Sequence, residues 1–430
     1  MGFIHEHIIL PFGDSVKGEK VHYYLRQLHE AEQWDEAKMR AFQEDRLRIV
    51  VLHAAKTVPF YRKWFAENAV DPDGIRSLDD LKQLPVLSKA IMRKQGIEAF
   101  TAEGYPERKR MYSKSSGSTG EPFAFYESKL SYSVNMASKL RTWYQAGYRL
   151  GDSYMKIANG VRSSKIKVLQ DRFNRCSYLP FYSINDDTLR SILDRIEIEK
   201  PRFIRSYPAP LFLLAQYRNS HQGYKYCPVH VFTTGSTLSL DYRDEIERAF
   251  GCDVIDSYSC EGTPNTYETP QHDGYRVCNY YGIIEVLDKR DMPVANGIGR
   301  VVSTDLWNYA HPFLRYDTQD LVEVKDGRIM RIMGRECESF IRTNGEVYTV
   351  HNFSRYFLHD LDSIDAYQIV RHADNSITIK IVVNKNYTES VEMMIADYWR
   401  QKLDVPVAVV CVEEIPLMQN NKRLTIVEEQ

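Results

Sequence analysis

The chain has 430 residues, 43% of them hydrophobic and 27% charged, and a formal net charge of −2. This is ordinary soluble composition, long enough for two or more domains, and it excludes an overall field that favours nucleic acid or an anionic membrane. No apolar run approaches the roughly 20 residues that span a bilayer, so no membrane insertion is expected.

The opening Met-Gly-Phe-Ile-His-Glu lacks the basic and apolar regions of a secretory leader. The seven cysteines (176, 227, 252, 260, 278, 337 and 411) are widely spaced, with no Cys-x-x-Cys. Both features predict free thiols in a reducing compartment and a cytoplasmic protein. Cys252, Cys260, His272 and Cys278 lie near one another in sequence but lack the spacing of a zinc site.

A helical lead-in is predicted over residues 20–70, where the stretch from Glu36 to Ala55 carries apolar residues at helical spacing. Ser77 with Asp80 reads as an N-cap pair opening a short helix. Ser113-Lys114-Ser115-Ser116-Gly117-Ser118-Thr119-Gly120-Glu121-Pro122 follows, with a strand-like Phe123-Ala124-Phe125-Tyr126 directly after it. Its glycines let backbone N–H groups turn inward and its hydroxyls add donors, so the loop suits phosphate oxygens. It lacks the Gly-x-x-x-x-Gly-Lys-Ser/Thr order of the P-loop. Taken alone, it also reads as a polar turn.

Strand-like runs then alternate with helical ones. The strands are 203–205, 229–232 and 254–255, and the helices are 186–199 and 240–250. This alternation predicts an α/β fold with a doubly wound, mainly parallel sheet. Ligands in such sheets sit at the carboxyl ends of strands, where Thr233-Thr234-Gly235-Ser236 and Asp256-Ser257-Tyr258-Ser259 fall. Residues 275–333 read as antiparallel strands completing a large domain, 1–333. The remainder, 334–430, reads as a small α+β domain. It has a helix near 351–361, strands near 364–371 and 376–383, a helix at 389–402 and a strand at 407–412.

Five segments in order carry a resemblance to the adenylate-forming enzymes. Ser115 to Pro122 looks like their phosphate loop. Tyr258-Ser259-Cys260-Glu261 resembles the adenine and magnesium motif, and Arg315-Tyr316-Asp317-Thr318-Gln319-Asp320 the ribose motif. Gly334-Arg335-Glu336-Cys337 opens a segment similar to the hinge. Asn420-Asn421-Lys422-Arg423 resembles the element that carries the catalytic lysine. The lead-in ending His53-Ala54-Ala55-Lys56-Thr57-Val58-Pro59-Phe60-Tyr61-Arg62 looks like the phenylacetate–CoA ligase branch. The Ser-Thr-Gly-Glu-Pro form is similar to its capsular-polysaccharide-biosynthesis relatives.

The resemblance implies activation of a carboxylic acid by ATP as acyl-AMP, with pyrophosphate released, then transfer to a thiol or amine. Two anions must meet, so the chemistry rests on charge neutralisation and positioning. Ser115, Ser116, Gly117, Ser118, Thr119 and Gly120 would hold phosphates. Glu261 would hold Mg²⁺ as a hard oxygen ligand. Gly235, Ser236, Ser257 and Tyr258 would border adenine, and Asp320 and Arg335 the ribose. Lys422 would bridge carboxylate and α-phosphate as a point charge. Residues 334–430 would swing about Arg335, Glu336 and Cys337 as a mobile lid. Tyr144, Tyr207 and Tyr258 favour a planar or small polar acid over a long alkyl chain. The acceptor stays open between CoA, a carrier-protein thiol and an amine, and the resemblance allows a homodimer.

The chain departs from the family pattern at Glu121, Cys260, Gln319, Cys337 and Asn421. Cys260 removes a hydroxyl near the α-phosphate, and Gln319 replaces the glycine before Asp320. Two other readings accommodate these changes: an adenylyltransferase acting on a non-carboxylate acceptor, and a non-catalytic nucleotide-binding relative.

Overall fold

The computed structural model describes residues 2–114, 124–158, 164–181, 186–335, 340–341, 347–348, 353, 356–357, 361, 363–415 and 425–429. They group into two compact units, Met1–Asp152 with Ser257–Arg331 and Ser153–Asp256 with Ile332–Gln430.

In the first unit the predicted lead-in is three helices, Val21–Ala31, Glu36–Thr57 and Pro59–Glu67. Asp35 caps the longest by accepting the Lys38 N–H at 2.8 Å, which satisfies one orphan donor of the first turn. Leu47, Val50, Val51 and Ala54 form its buried stripe. The helix stops at Thr57, two residues before Pro59, because a proline disfavours helical backbone in the residue before it. Ser77 and Asp80 form the expected pair: the Ser77 N–H donates to the Asp80 carboxylate at 2.8 Å, opening a short 3₁₀ turn.

The strands Arg110–Lys114 and Ala124–Ser128 pair antiparallel, with Lys114 opposite Ala124, so they bracket the serine- and glycine-rich segment. Ser128 then caps the helix Lys129–Gln145, accepting the Ser131 N–H at 3.0 Å. Behind this helix start lies the buried Asp305 carboxylate. It accepts from Trp307 N–H (2.7 Å), Asn308 N–H (3.0 Å), Tyr281 O–H (2.8 Å) and Ser131 O–H (3.2 Å). Four donors satisfy a buried carboxylate that would otherwise be costly. A mainly antiparallel sheet completes the unit. Gly297–Asp305 pairs with Gly282–Leu287 and Tyr316–Lys325, and Leu87–Ser88 adds a parallel edge to the last. Buried Arg315 locks one end of it, with both its Nε and a terminal nitrogen on Glu285 and a further bond to the Leu84 carbonyl.

In the second unit, the strands Cys176–Pro180, Tyr154–Ala158, Phe203–Ser206 and His230–Thr234 lie side by side and parallel, in that spatial order. Val254–Tyr258 follows next in the sheet. The helices Asp186–Glu199 and Leu240–Phe250 have the expected bounds. Ile204, Val231 and Val254 from the strands pack with Ile192, Leu214, Ile246 and Phe250 from the helices. This is the doubly wound arrangement that strand–helix alternation dictates. The C-terminal part has its own hydrophobic cluster, from Phe340 to Ile426, centred on buried Trp399 stacked 4.1 Å from Phe353. Its sheet runs Val407–Cys411, Ile377–Val383, Ile364–Arg371, Ile426–Glu428, with the helix Glu389–Leu403. The helix expected near 351–361 falls mostly outside the described residues.

Glu127 sits on the strand that leaves the serine- and glycine-rich segment. Burial pushes its carboxyl up to about 7, against a smaller lowering by Lys139 and a further rise from Asp305. An acid whose folded value is raised weakens the fold as pH climbs from its unfolded value through its folded one. Glu127→Gln is neutral throughout. Its stability relative to the parent should therefore rise between about pH 5 and about pH 8 in denaturant unfolding. A pH-independent difference would contradict this assignment.

Candidate active site

Two groups of the expected residues are built at strand ends, one in each unit. In the second unit, buried Thr233 donates its hydroxyl to buried Asp256 at 2.6 Å. This bond ties the ends of neighbouring strands. Gly235 follows at φ +79°, and a Cβ there would stand 2.7 Å from the Tyr207 ring. Both the backbone and the ring therefore demand glycine. Gly334 lies at φ +99° against the same turn, where a Cβ would meet Thr237 Oγ1 at 3.1 Å. The fold thus brings Tyr207, Gly235 and exposed Ser236 together with the chain that enters Arg335.

In the first unit, Ser257 and Tyr258 leave the parallel sheet and pair antiparallel with Tyr267 and Thr266. The Tyr258 hydroxyl donates to Asp320 Oδ2 at 2.7 Å and lies 3.4 Å from Thr318 Oγ1. Burial first, and then the Asp320 carboxylate, push this phenol well above its usual range. It is a fixed donor at any working pH. Asp320 is held in turn. Its N–H donates to Thr318 Oγ1 at 3.1 Å, and the Thr318 hydroxyl donates to the Val301 carbonyl at 3.0 Å. Between them, Gln319 adopts φ +61° with its N–H on Asp317 Oδ1 at 2.9 Å. The glutamine therefore keeps the left-handed turn that a glycine would make without strain.

Glu261 is half-buried, and its Oε2 accepts from the Cys260 thiol at 2.9 Å. At Gly262, with φ +67°, a Cβ would stand 2.5 Å from the Phe313 ring. Phe313 also meets Phe125 edge-on at 5.5 Å. One buried ring thus supports both the Glu261 turn and the strand that leaves the serine- and glycine-rich segment. Downstream, Asn265 Nδ2 reaches Asn135 Oδ1 at 3.0 Å and Ser138 Oγ at 2.8 Å, pinning the turn to the helix Lys129–Gln145.

Tyr144 meets the N-terminal segment and Arg149. Its hydroxyl donates to Glu6 at 3.1 Å, and the Arg149 guanidinium lies 4.8 Å from its ring centre. Ser115, Ser116, Gly117, Ser118, Thr119, Gly120, Glu336, Cys337 and Lys422 lie outside the described residues. The sequence pattern alone assigns Thr318 no role. The small hydroxyl one residue before a left-handed position was its signal. Phe313 carried none, since an aromatic after a proline is usually core. None of the six described cysteines, Cys260 among them, forms a disulfide.

No family model matches the chain. It is 22% identical over 422 residues to protein CapK of Staphylococcus aureus, covering 88% of this chain and 91% of that protein. It is 24% identical over 344 residues to a phenylacetate-coenzyme A ligase of Escherichia coli, covering 71% and 72%. Among solved structures, 2-hydroxyisobutyryl-CoA ligase in the postadenylation state, in complex with 2-HIB-AMP, matches with a TM-score of 0.73 at 20% identity. That match covers 92% of this chain and 90% of that one. The chain therefore shares the fold of that CoA ligase.

Gln319 is exposed, so its side chain contributes no packing. Gln319→Gly should raise stability by about 0.5–1 kcal/mol, the relief of left-handed strain less the added backbone entropy of glycine. Denaturant unfolding checks this, and a loss of stability would mean that the turn needs the glutamine.

Proposed function

We propose, from the adenylate-forming fold, that this chain activates a small carboxylic acid with ATP and passes the acyl group to the thiol of CoA. The observation that carries the reading is the meeting of Tyr258 with Asp320. Two segments 62 residues apart, each resembling a nucleotide motif, are joined by one hydrogen bond. The Tyr258 ring would lie along adenine. Asp320, an acceptor-only carboxylate, would take the two ribose hydroxyls. Gly235 and Ser236, both exposed, would border adenine. Arg335 would reach the ribose.

In the first half-reaction a carboxylate oxygen attacks the α-phosphorus of ATP. An O–P bond forms, and pyrophosphate leaves with the electron pair of the bond it breaks. Lys422 would neutralise the approach of the two anions, and the loop 115–120 would hold the β- and γ-phosphates. In the second, the thiolate sulfur attacks the acyl carbon and AMP departs. Glu261 suits a divalent cation: it is a half-buried carboxylate with one oxygen on the Cys260 thiol, leaving hard donor capacity. Mg²⁺ held there would offset phosphate charge.

Residues 334–430 would act as the lid between half-reactions, turning about Arg335, Glu336 and Cys337, and their own hydrophobic cluster supports motion as a body. The Tyr207 ring lying flush on Gly235 favours a planar or short polar acid. A carrier-protein thiol is the alternative acceptor, and a homodimer is the assembly we expect.

Acid-dependent exchange of labelled pyrophosphate into ATP tests the reading. The parent should exchange with aryl or small polar acids better than with fatty acids. Lys422→Ala should lose about a hundredfold or more, because its charge acts mainly in the transition state. ATP binding without exchange across a broad acid panel would assign a binding module instead. AMP transfer to a hydroxyl acceptor would assign an adenylyltransferase.

A further inference from the structure

Among the described helices of its unit, Lys165–Phe173 differs from the rest in having no buried residue. Ile166 is 71% exposed, Val168 50%, Leu169 54% and Phe173 54%. Ile166, Leu169 and Phe173 follow an i, i+3, i+7 spacing, so they share one face. Gln170 and Asp171 are the less exposed positions and mark the side turned to the body. Exposed Lys165 and Arg172 border one side of the apolar face, exposed Arg175 follows just past the helix, and Asp171 is the one acid between Ser164 and Arg175. Apolar side chains flanked by cations are the pattern of a helix that lies in a lipid interface.

We propose that this helix docks the protein, reversibly, on an anionic lipid surface. Charge argues for that occupant. The chain as a whole is slightly acidic, so the cluster of cations at this helix is local and not a consequence of composition. Area argues against a second copy. Nine residues make a helix about 14 Å long, whereas a stable protein interface needs about 800 Å² from each partner. A lipid surface sets no such minimum. Three apolar side chains enter the headgroup boundary while lysine and arginine stems reach along it to phosphate. One short helix gives weak attachment that salt reverses.

The test is co-sedimentation of the full chain with vesicles of pure phosphatidylglycerol and with vesicles of pure phosphatidylcholine. We expect binding to the first, about tenfold or more weaker binding to the second, and release from the first by high salt. The variant I166S/L169S/F173S and the variant K165E/R172E should each lose the binding. Both should keep the parent melting temperature, since every substituted side chain is exposed. Failure to bind phosphatidylglycerol overturns the proposal, and so does undiminished binding by either folded variant. Concentration-dependent dimerisation without lipid, abolished in I166S/L169S/F173S, would also overturn it by assigning the face to a protein contact.

Discussion

The hydrogen bond from Tyr258 to Asp320 is the constraint on which the first unit's site depends. Within that unit it joins Tyr258 to the turn that carries Asp320, and both partners are fixed from behind. The antiparallel pairing of Ser257 and Tyr258 holds the tyrosine, and Thr318 holds the aspartate through its N–H. The bond spends one carboxylate oxygen on the phenol. The Asp320 carboxylate is therefore held in one orientation before any ligand arrives. Such preorganisation lowers the ordering cost of binding.

Hydrophobic packing carries the second constraint. Phe313 touches the turn after Glu261 and the strand after the serine- and glycine-rich segment. A shift of that ring would move both. Asp305 plays the same part with polar bonds, fixing the start of the helix Lys129–Gln145 through Ser131. The polar residues that would do chemistry thus rest on residues that do none, as positioned sites require. The departure at Cys260 is accommodated locally. Its thiol donates to Glu261, so the acid has a donor neighbour.

The parallel sheet and its helices were legible because strand and helix periods differ and each element buries its own stripe. Leu240–Phe250 was readable to the residue, having Ser239 as its cap and Gly251 as its stop. Short edge pieces were not legible: Leu87–Ser88 and Ile426–Glu428 have too few residues to show a period. Nor was the Asp305 network, whose donors come from positions up to 174 residues away. Residue types and order singled out Tyr258 and Asp320, but their bond depends on tertiary folding. The sequence alone leaves the role of Tyr144 open, since a tyrosine on a helix serves packing as readily as binding. Here it faces Glu6.

A crystal structure with Mg·ATP and a small aryl acid tests the central claim most directly. The account predicts adenine against the Tyr258 ring and both ribose hydroxyls within hydrogen-bonding distance of Asp320. A nucleotide bound away from Asp320, or none bound while the Tyr258–Asp320 bond stays intact, would contradict it.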